Sequence, residues 1–183
     1  MQRTVATHTF IAHVEDKPGV LNRVTSLFRR RGYNIESLAV GRTHEPGVSR
    51  MTLVIEADDD GARRIEANLY KLVNVLRVDD TTARATVARE LALIKVRADA
   101  VTRPSVMQIC EVFRARVIDV APAAMICDIT GVATKIDGFV DVLAPYGVIE
   151  TVRTGAVAMM RSAESSERDT AAPEDRPGAR DAA

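Results

Sequence analysis

The residues best placed to do chemistry in this 183-residue chain lie in one run, Val14-Glu15-Asp16-Lys17-Pro18-Gly19-Val20-Leu21-Asn22-Arg23-Val24. An apolar stretch, Phe10 to Val14, ends there in an acidic turn. Pro18-Gly19 then releases the chain into a segment with apolar residues at Val20, Leu21, Val24, Leu27 and Phe28, which is one face of a helix. A turn that enters a helix beside a strand end leaves several backbone N–H groups without intrahelical partners. Those donors, with the positive end of the helix dipole, suit a small carboxylate. Asp16 lies close enough in sequence to face an ammonium group. A carboxylate and an ammonium on one small molecule make a free amino acid. Taken alone, a Pro-Gly turn is an ordinary strand-to-helix connection, so the rest of the chain has to decide.

The surrounding elements read as two copies of one unit. In the first, Thr9 to Val14 is a strand and Val20 to Arg31 a helix, with Gly32 at its C-terminal end. Ile35 to Arg42 is a second strand, and Thr43-His44-Glu45-Pro46-Gly47 a turn. Ser49 to Ala57 is a third strand with Met51, Leu53 and Ile55 on one face. Asp58-Asp59-Asp60 opens a second helix, where the dipole favours acids; its apolar stripe is Ala62, Ile65, Leu69, Leu72 and Val73. Val75 to Asp79 closes the unit. The second half repeats this order. Glu90 to Arg97 is a strand, and a helix starting near Pro104 carries Val106, Ile109, Cys110 and Phe113. Arg116 to Ala121 and Ala124 to Gly131 are strands meeting at Pro122-Ala123. Thr134 is the expected cap of a helix with Ile136, Phe139, Val140 and Leu143 on its stripe, and Val148 to Thr154 is the last strand. The expected fold class is therefore α+β, two ferredoxin-like βαββαβ domains over residues 7–83 and 84–161, each with its helices on one sheet face. Residues 162–183 collapse to Ser, Glu, Asp, Arg, Pro, Gly and Ala without apolar periodicity and read as a disordered tail.

Composition narrows the function classes. Lys+Arg and Asp+Glu both number 25, so there is no basic excess of the kind a nucleic-acid partner calls for. Trp is absent and aromatic residues make up 4%, which leaves few platforms on which bases could stack. An RNA-recognition module of the same topology would want aromatics on its central strands; these offer Leu38, Val40, Met51 and Leu53. No apolar run reaches membrane-span length and the N-terminus lacks a signal-peptide core, so the expected location is the cytoplasm, with no membrane contact. Cys110 and Cys127 fall in apolar periodic segments and read as buried free thiols. His8, His13 and His44 have no metal-ligand spacing, so no metal site is expected. No Ser-His-Asp set, paired buried acids, Cys-His pair or phosphate loop can be assembled. The chain is expected to have no catalytic residues of its own.

With these elements in place, three strings resemble the regulatory (small) subunit of acetolactate synthase, whose N-terminal unit is an ACT domain, an amino-acid-sensing module. They are Val14 to Leu21, Arg31-Gly32-Tyr33-Asn34-Ile35-Glu36-Ser37-Leu38, and Ser49-Arg50-Met51-Thr52. Lys71 to Val75, Arg89 to Val96 and Phe113 to Val120 add to the match, which spans roughly residues 7–161. The resemblance implies a non-catalytic chain that binds a large catalytic subunit, raises its activity, and makes it sensitive to valine or another branched-chain amino acid. It implies a homodimer of ACT domains with the effector at their interface. Thiamine diphosphate, magnesium and FAD would belong to the catalytic subunit, with no cofactor on this chain. The implied effector residues are Asp16, Gly19, Val20, Leu21 and Asn22 at the turn, with the Val20 and Leu21 N–H groups as carboxylate donors, Asn34 reached across the dimer interface, and Ile35 in apolar contact with a branched side chain. Asn22 is bulkier than the small residue common in the family, and either contacts the effector or restricts its pocket. The alternative is an ACT-domain sensor that serves a different enzyme.

Overall fold

A computed structural model describes residues 5–162 of the chain. The first half runs β1 (Ala6–Glu15), α1 (Val20–Arg31), β2 (Ile35–Arg42), β3 (Val48–Ala57), α2 (Asp59–Leu69) and β4 (Val75–Asp80). The second runs β5 (Thr86–Arg97), α3 (Arg103–Phe113), β6 (Arg116–Ala121), β7 (Ala124–Gly131), α4 (Ala133–Leu143), a short 3-10 turn, β8 (Val148–Arg153) and β9 (Val157–Met160). The two four-stranded arrangements have the same plan, in order β2-β3-β1-β4 and β6-β7-β5-β8, with antiparallel neighbours throughout. Two ferredoxin-like βαββαβ units are thus present, as the periodicity predicts.

Alternation along the central strands fixes which side chains meet the helices. In the first unit Phe10, Ala12 and Val14 of β1 join Met51, Leu53 and Ile55 of β3, covered by Val24 and Phe28 of α1 and Ile65 and Leu69 of α2. In the second, Ala92, Ile94 and Val96 meet Met125, Cys127 and Ile129 beneath Val106, Cys110, Ile136, Phe139 and Leu143. Each large side chain so buried contributes about 1.5–3 kcal/mol. Cys110 and Cys127 are buried free thiols, as expected, with sulfurs 3.3 Å apart. Met51 and Leu53 therefore lie in the core, so they do not furnish an open sheet surface for bases.

Three expectations need correction. Helix α2 ends at Leu69, so Leu72 and Val73 lie beyond it; Leu72 still packs on the core, whereas Val73 is 86% exposed. Val132, not Thr134, is the N-cap of α4, and it makes no side-chain cap bond. Strand β5 begins at Thr86 rather than Glu90, because its first four residues pair with β9, an element the sequence reading does not contain. This β5–β9 ribbon meets the sheet face of the first unit that α1 and α2 leave uncovered. A guanidinium N–H of Arg50 donates to the Ala158 carbonyl there. Ile11, Thr52 and Asp79, which side by side form one row of that face, are all buried. Most of the tail expected over residues 162–183 lies outside the described residues. Among the described residues, no helix is long and apolar enough to cross a membrane.

Candidate functional site

The turn between β1 and α1 is built by its own backbone. The Lys17 amide donates to the Glu15 carbonyl at 2.9 Å, and the Val20 amide to the Lys17 carbonyl at 3.3 Å. Gly19 sits at the N-cap of α1 with φ 84° and ψ −8°, in the left-handed region, and supplies no side-chain cap. A Cβ there would meet nothing within 4 Å, so the conformation, not crowding, favours glycine. The first turn of α1 contains no acid. The amides of Leu21 and Asn22 are thus first-turn donors with no intrahelical acceptor. The Leu21 and Asn22 side chains are exposed, whereas Val20 is buried and packs in the core. At this end of the unit a small anion would meet Leu21 and Asn22 amides over an open turn.

Charge around the turn is held in place from β2, β3 and the segment before β4. Asp16 accepts from the Ser49 hydroxyl at 3.2 Å and pairs with the Arg42 guanidinium at 3.1 Å. Its amide donates to the Gly47 carbonyl at 2.8 Å. Glu15 is held by the Asn74 side-chain amide and by Lys17 at 3.2 Å, and these bonds keep its carboxyl below the usual carboxylate range, Asn74 contributing most. Arg23, one turn into α1, also donates to Asn74, at 2.5 Å. The sequence reading named neither Arg42 nor Asn74 as part of this site, and Ser49 entered it only within a matching string. Their signal is long-range register, since Arg42 aligns with Ser49 and Ser49 with Val14.

Asn34 and Ile35 are elsewhere. Ile35 aligns with Ile55, which aligns with His8, at the far end of the sheet from Ser49 and Val14. The length of β2, seven steps from Ile35 to Arg42, separates them from the turn by roughly 23 Å. Asn34 is exposed and donates through its side-chain amide to Glu36; Ile35 is half-buried against the core. Within one chain the structure brings together Asp16, Gly19, Leu21 and Asn22, takes Val20 out of the expected donor pair by bonding its amide to the Lys17 carbonyl, and leaves Asn34 and Ile35 apart from them.

Arg50, within one of the matching strings, is half-buried beneath the β5–β9 ribbon, and burial lowers its pKa. It lies across from His13, which lies across from Arg77. Burial first, then these two cations, pull the His13 pKa below its ordinary value and favour the neutral ring. Among the described residues, no three His, Cys, Asp or Glu side chains gather as a metal-binding group.

Two ferredoxin-like units in tandem, the first opening its β1–α1 turn on an αL glycine, define an ACT-domain protein. Residues 10–77 match the family described as the AHAS small subunit-like ACT domain, and residues 89–162 match the family described as the small subunit of acetolactate synthase. The chain is 45% identical to the acetolactate synthase small subunit of Mycolicibacterium smegmatis over 161 residues, 88% of this chain and 95% of that one. It is 48% identical to the corresponding protein of Mycobacterium leprae over 155 residues, 85% of this chain and 92% of that one. The crystal structure of the acetolactate synthase small subunit from Thermotoga maritima superposes with a TM-score of 0.79 at 40% identity, covering 85% of this chain and 98% of that one. The chain belongs to the acetolactate synthase small-subunit family.

Proposed function

We propose that this chain is the non-catalytic regulatory subunit of a cytoplasmic, thiamine-diphosphate-dependent acetolactate synthase. It binds the large catalytic subunit, raises its rate, and makes it sensitive to valine or another branched-chain amino acid. Thiamine diphosphate, magnesium and FAD reside on the large subunit, and this chain carries no cofactor of its own.

The observation that carries the effector part of this reading is the division of the site between the two ends of β2. That strand is one of the two outer strands of the first sheet, and Leu38-Ala39-Val40-Gly41, beyond the Ser37 contact with Ala156, offers a run without charge, Val40 being 48% exposed. An unprotected edge of this kind invites another strand. Two copies related by a two-fold axis would pair β2 with β2 antiparallel. Such pairing reverses the second strand, so Asn34 and Ile35 of one copy come toward the Asp16–Asn22 turn of the other. The effector carboxylate then meets the Leu21 and Asn22 amides at the positive end of α1, with Gly19 giving the backbone its approach. The ammonium is held by Asp16, which shares its charge with Arg42, and by the Asn34 side-chain oxygen. Ile35 and the Leu21 side chain supply apolar contact for a branched chain, and Val20 backs the turn from the core.

Reconstitution tests the whole reading. The purified chain alone should convert no pyruvate to acetolactate. Added to its large subunit, it should raise the rate several-fold and confer inhibition by valine, leucine or isoleucine. Equal rates with and without the chain would overturn the assignment of activation. Activation without any effector response would overturn the sensor reading alone.

A further inference from the structure

A polar link ties β2 to the second half of the chain, three residues along from Asn34. The Ala156 amide donates to the Ser37 hydroxyl at 3.0 Å. The contact is close enough that a Cβ on Gly155 would stand 2.3 Å from Ser37 Oγ, and Gly155 also holds φ +76°. On one side of the link, β2 has slack, because its register against β3 shifts between Ile35 and Ser37. Asn34 is tied to Glu36 within that irregular step. On the other side, Arg153 pairs with Glu90 of β5 and with Asp137 of α4, each at 2.6 Å. Beside the link lies a cleft of about 630 Å³ lined by Glu36, Ser37, Asp137, Arg153, Gly155 and Ala156. A cleft of that size leaves the two halves room to shift against each other wherever they are not fastened.

We propose that Ser37 and the Gly155–Ala156 backbone form a clasp that carries effector occupancy from β2 to the second sheet. The inference rests on the effector reading above and names the route by which that site acts. An amino acid bound by Asn34 pulls on the start of β2, just before the register shift. The displacement reaches Ser37, moves the Ala156 amide with it, and is passed through Arg153 to β5 and α4. Ser37 is a positioning residue here; it does not touch the effector.

The test compares Ser37→Thr with Ser37→Val in the full-length chain, alone and with the large subunit. The two side chains have the same shape, and only threonine keeps the hydroxyl acceptor. Valine binding to the chain is measured by calorimetry, exchange of the Ala156 amide with and without valine by NMR or mass spectrometry, and inhibition in the assembled enzyme. Ser37→Thr should match wild type in all three. Ser37→Val should bind valine within about threefold of wild type, while maximal inhibition falls at least about twofold and the Ala156 amide no longer responds. Gly155→Ala, which wedges a methyl group against Ser37 from the opposite side, should behave like Ser37→Val. Full inhibition in Ser37→Val overturns the clasp, as does valine binding that leaves Ala156 exchange unchanged in wild type. A wild-type chain that binds none of the three branched-chain amino acids overturns the effector reading itself, and the clasp as its transmitter falls with it.

Discussion

Gly19 does two jobs that substitution can separate. Its φ of 84° holds the turn in a region that costs an L-residue about 1–2 kcal/mol, while its missing side chain leaves the first amides of α1 open. Gly19→Ala should lower stability by about 1 kcal/mol and keep the valine response, because a methyl group there meets nothing within 4 Å. Gly19→Asp should fold at least as well as Gly19→Ala, since a carboxylate at a helix N-terminus is favourable. Its carboxylate competes with the effector's for the same donors and repels it. Charged hydrogen bonds are worth about 1.5–3 kcal/mol, so valine should bind at least about tenfold more weakly. Denaturant melts and valine titrations of both variants check this; equal valine affinity in wild type and Gly19→Asp would remove the site from the turn. At this scale the turn is legible in sequence because glycine, proline and the helical stripe are neighbours in the chain. The Asp16 environment is not legible, because Arg42 and Ser49 reach it only through strand pairing.

Element boundaries divide the same way. Helix α1 and strands β2, β6 and β7 run as read, since each is bounded by a turn residue or a change of period. Helix α2 stops at Leu69, short of its apparent stripe, because the chain turns through Tyr70 to Asn74 into β4; Leu72 reaches the core from that turn. At the other end of α2, Asp58 accepts from the Gly61 amide at 2.6 Å, as a capping residue should. Helix α4 lacks the equivalent bond. Val132 has extended dihedrals, φ −74° and ψ 156°, that suit an N-cap, yet its side chain cannot accept, and the next hydroxyl along the chain, Thr134, falls inside the helix. Valine carries no capping signal in the sequence for that reason. Val132→Ser would place an acceptor in a backbone already shaped for it, at a position that is 45% exposed. It should stabilise the protein by about 1 kcal/mol. Thermal melts should rise by about 2–4 °C, and an unchanged or lower midpoint would mean that the α4 terminus is already satisfied.

At the scale of the whole molecule, duplication is what the sequence displays best, because each unit buries a core from its own helices and strands. The join between units is what it hides. Strand β9 is four residues long, and its partner is the extension of β5, far back along the chain, with Val157 opposite Arg89 and Met160 opposite Thr86. With the ribbon on one face of the first sheet and helices on the other, the outer strands β2 and β4 are left as edges, and of these β2 carries the uncharged run, Leu38 to Gly41, that suits pairing. A ligand that binds only the paired form must favour pairing by mass action. The chain should therefore be a homodimer through residues 7–83, tightened by valine. Val40→Lys, which sets a charge in the middle of the unpaired edge, should weaken the dimer at least about tenfold without unfolding the monomer, since Val40 is outside the core. Deleting Ser162 to Ala183 should leave both dimer and valine response intact, because that segment carries no apolar periodicity with which to add to an interface. Sedimentation of the full chain, the Val40→Lys variant and the truncation, each with and without valine, separates these claims. A full chain that stays monomeric at micromolar concentration, or a Val40→Lys variant that dimerises as well as wild type, would put the pairing surface somewhere other than β2.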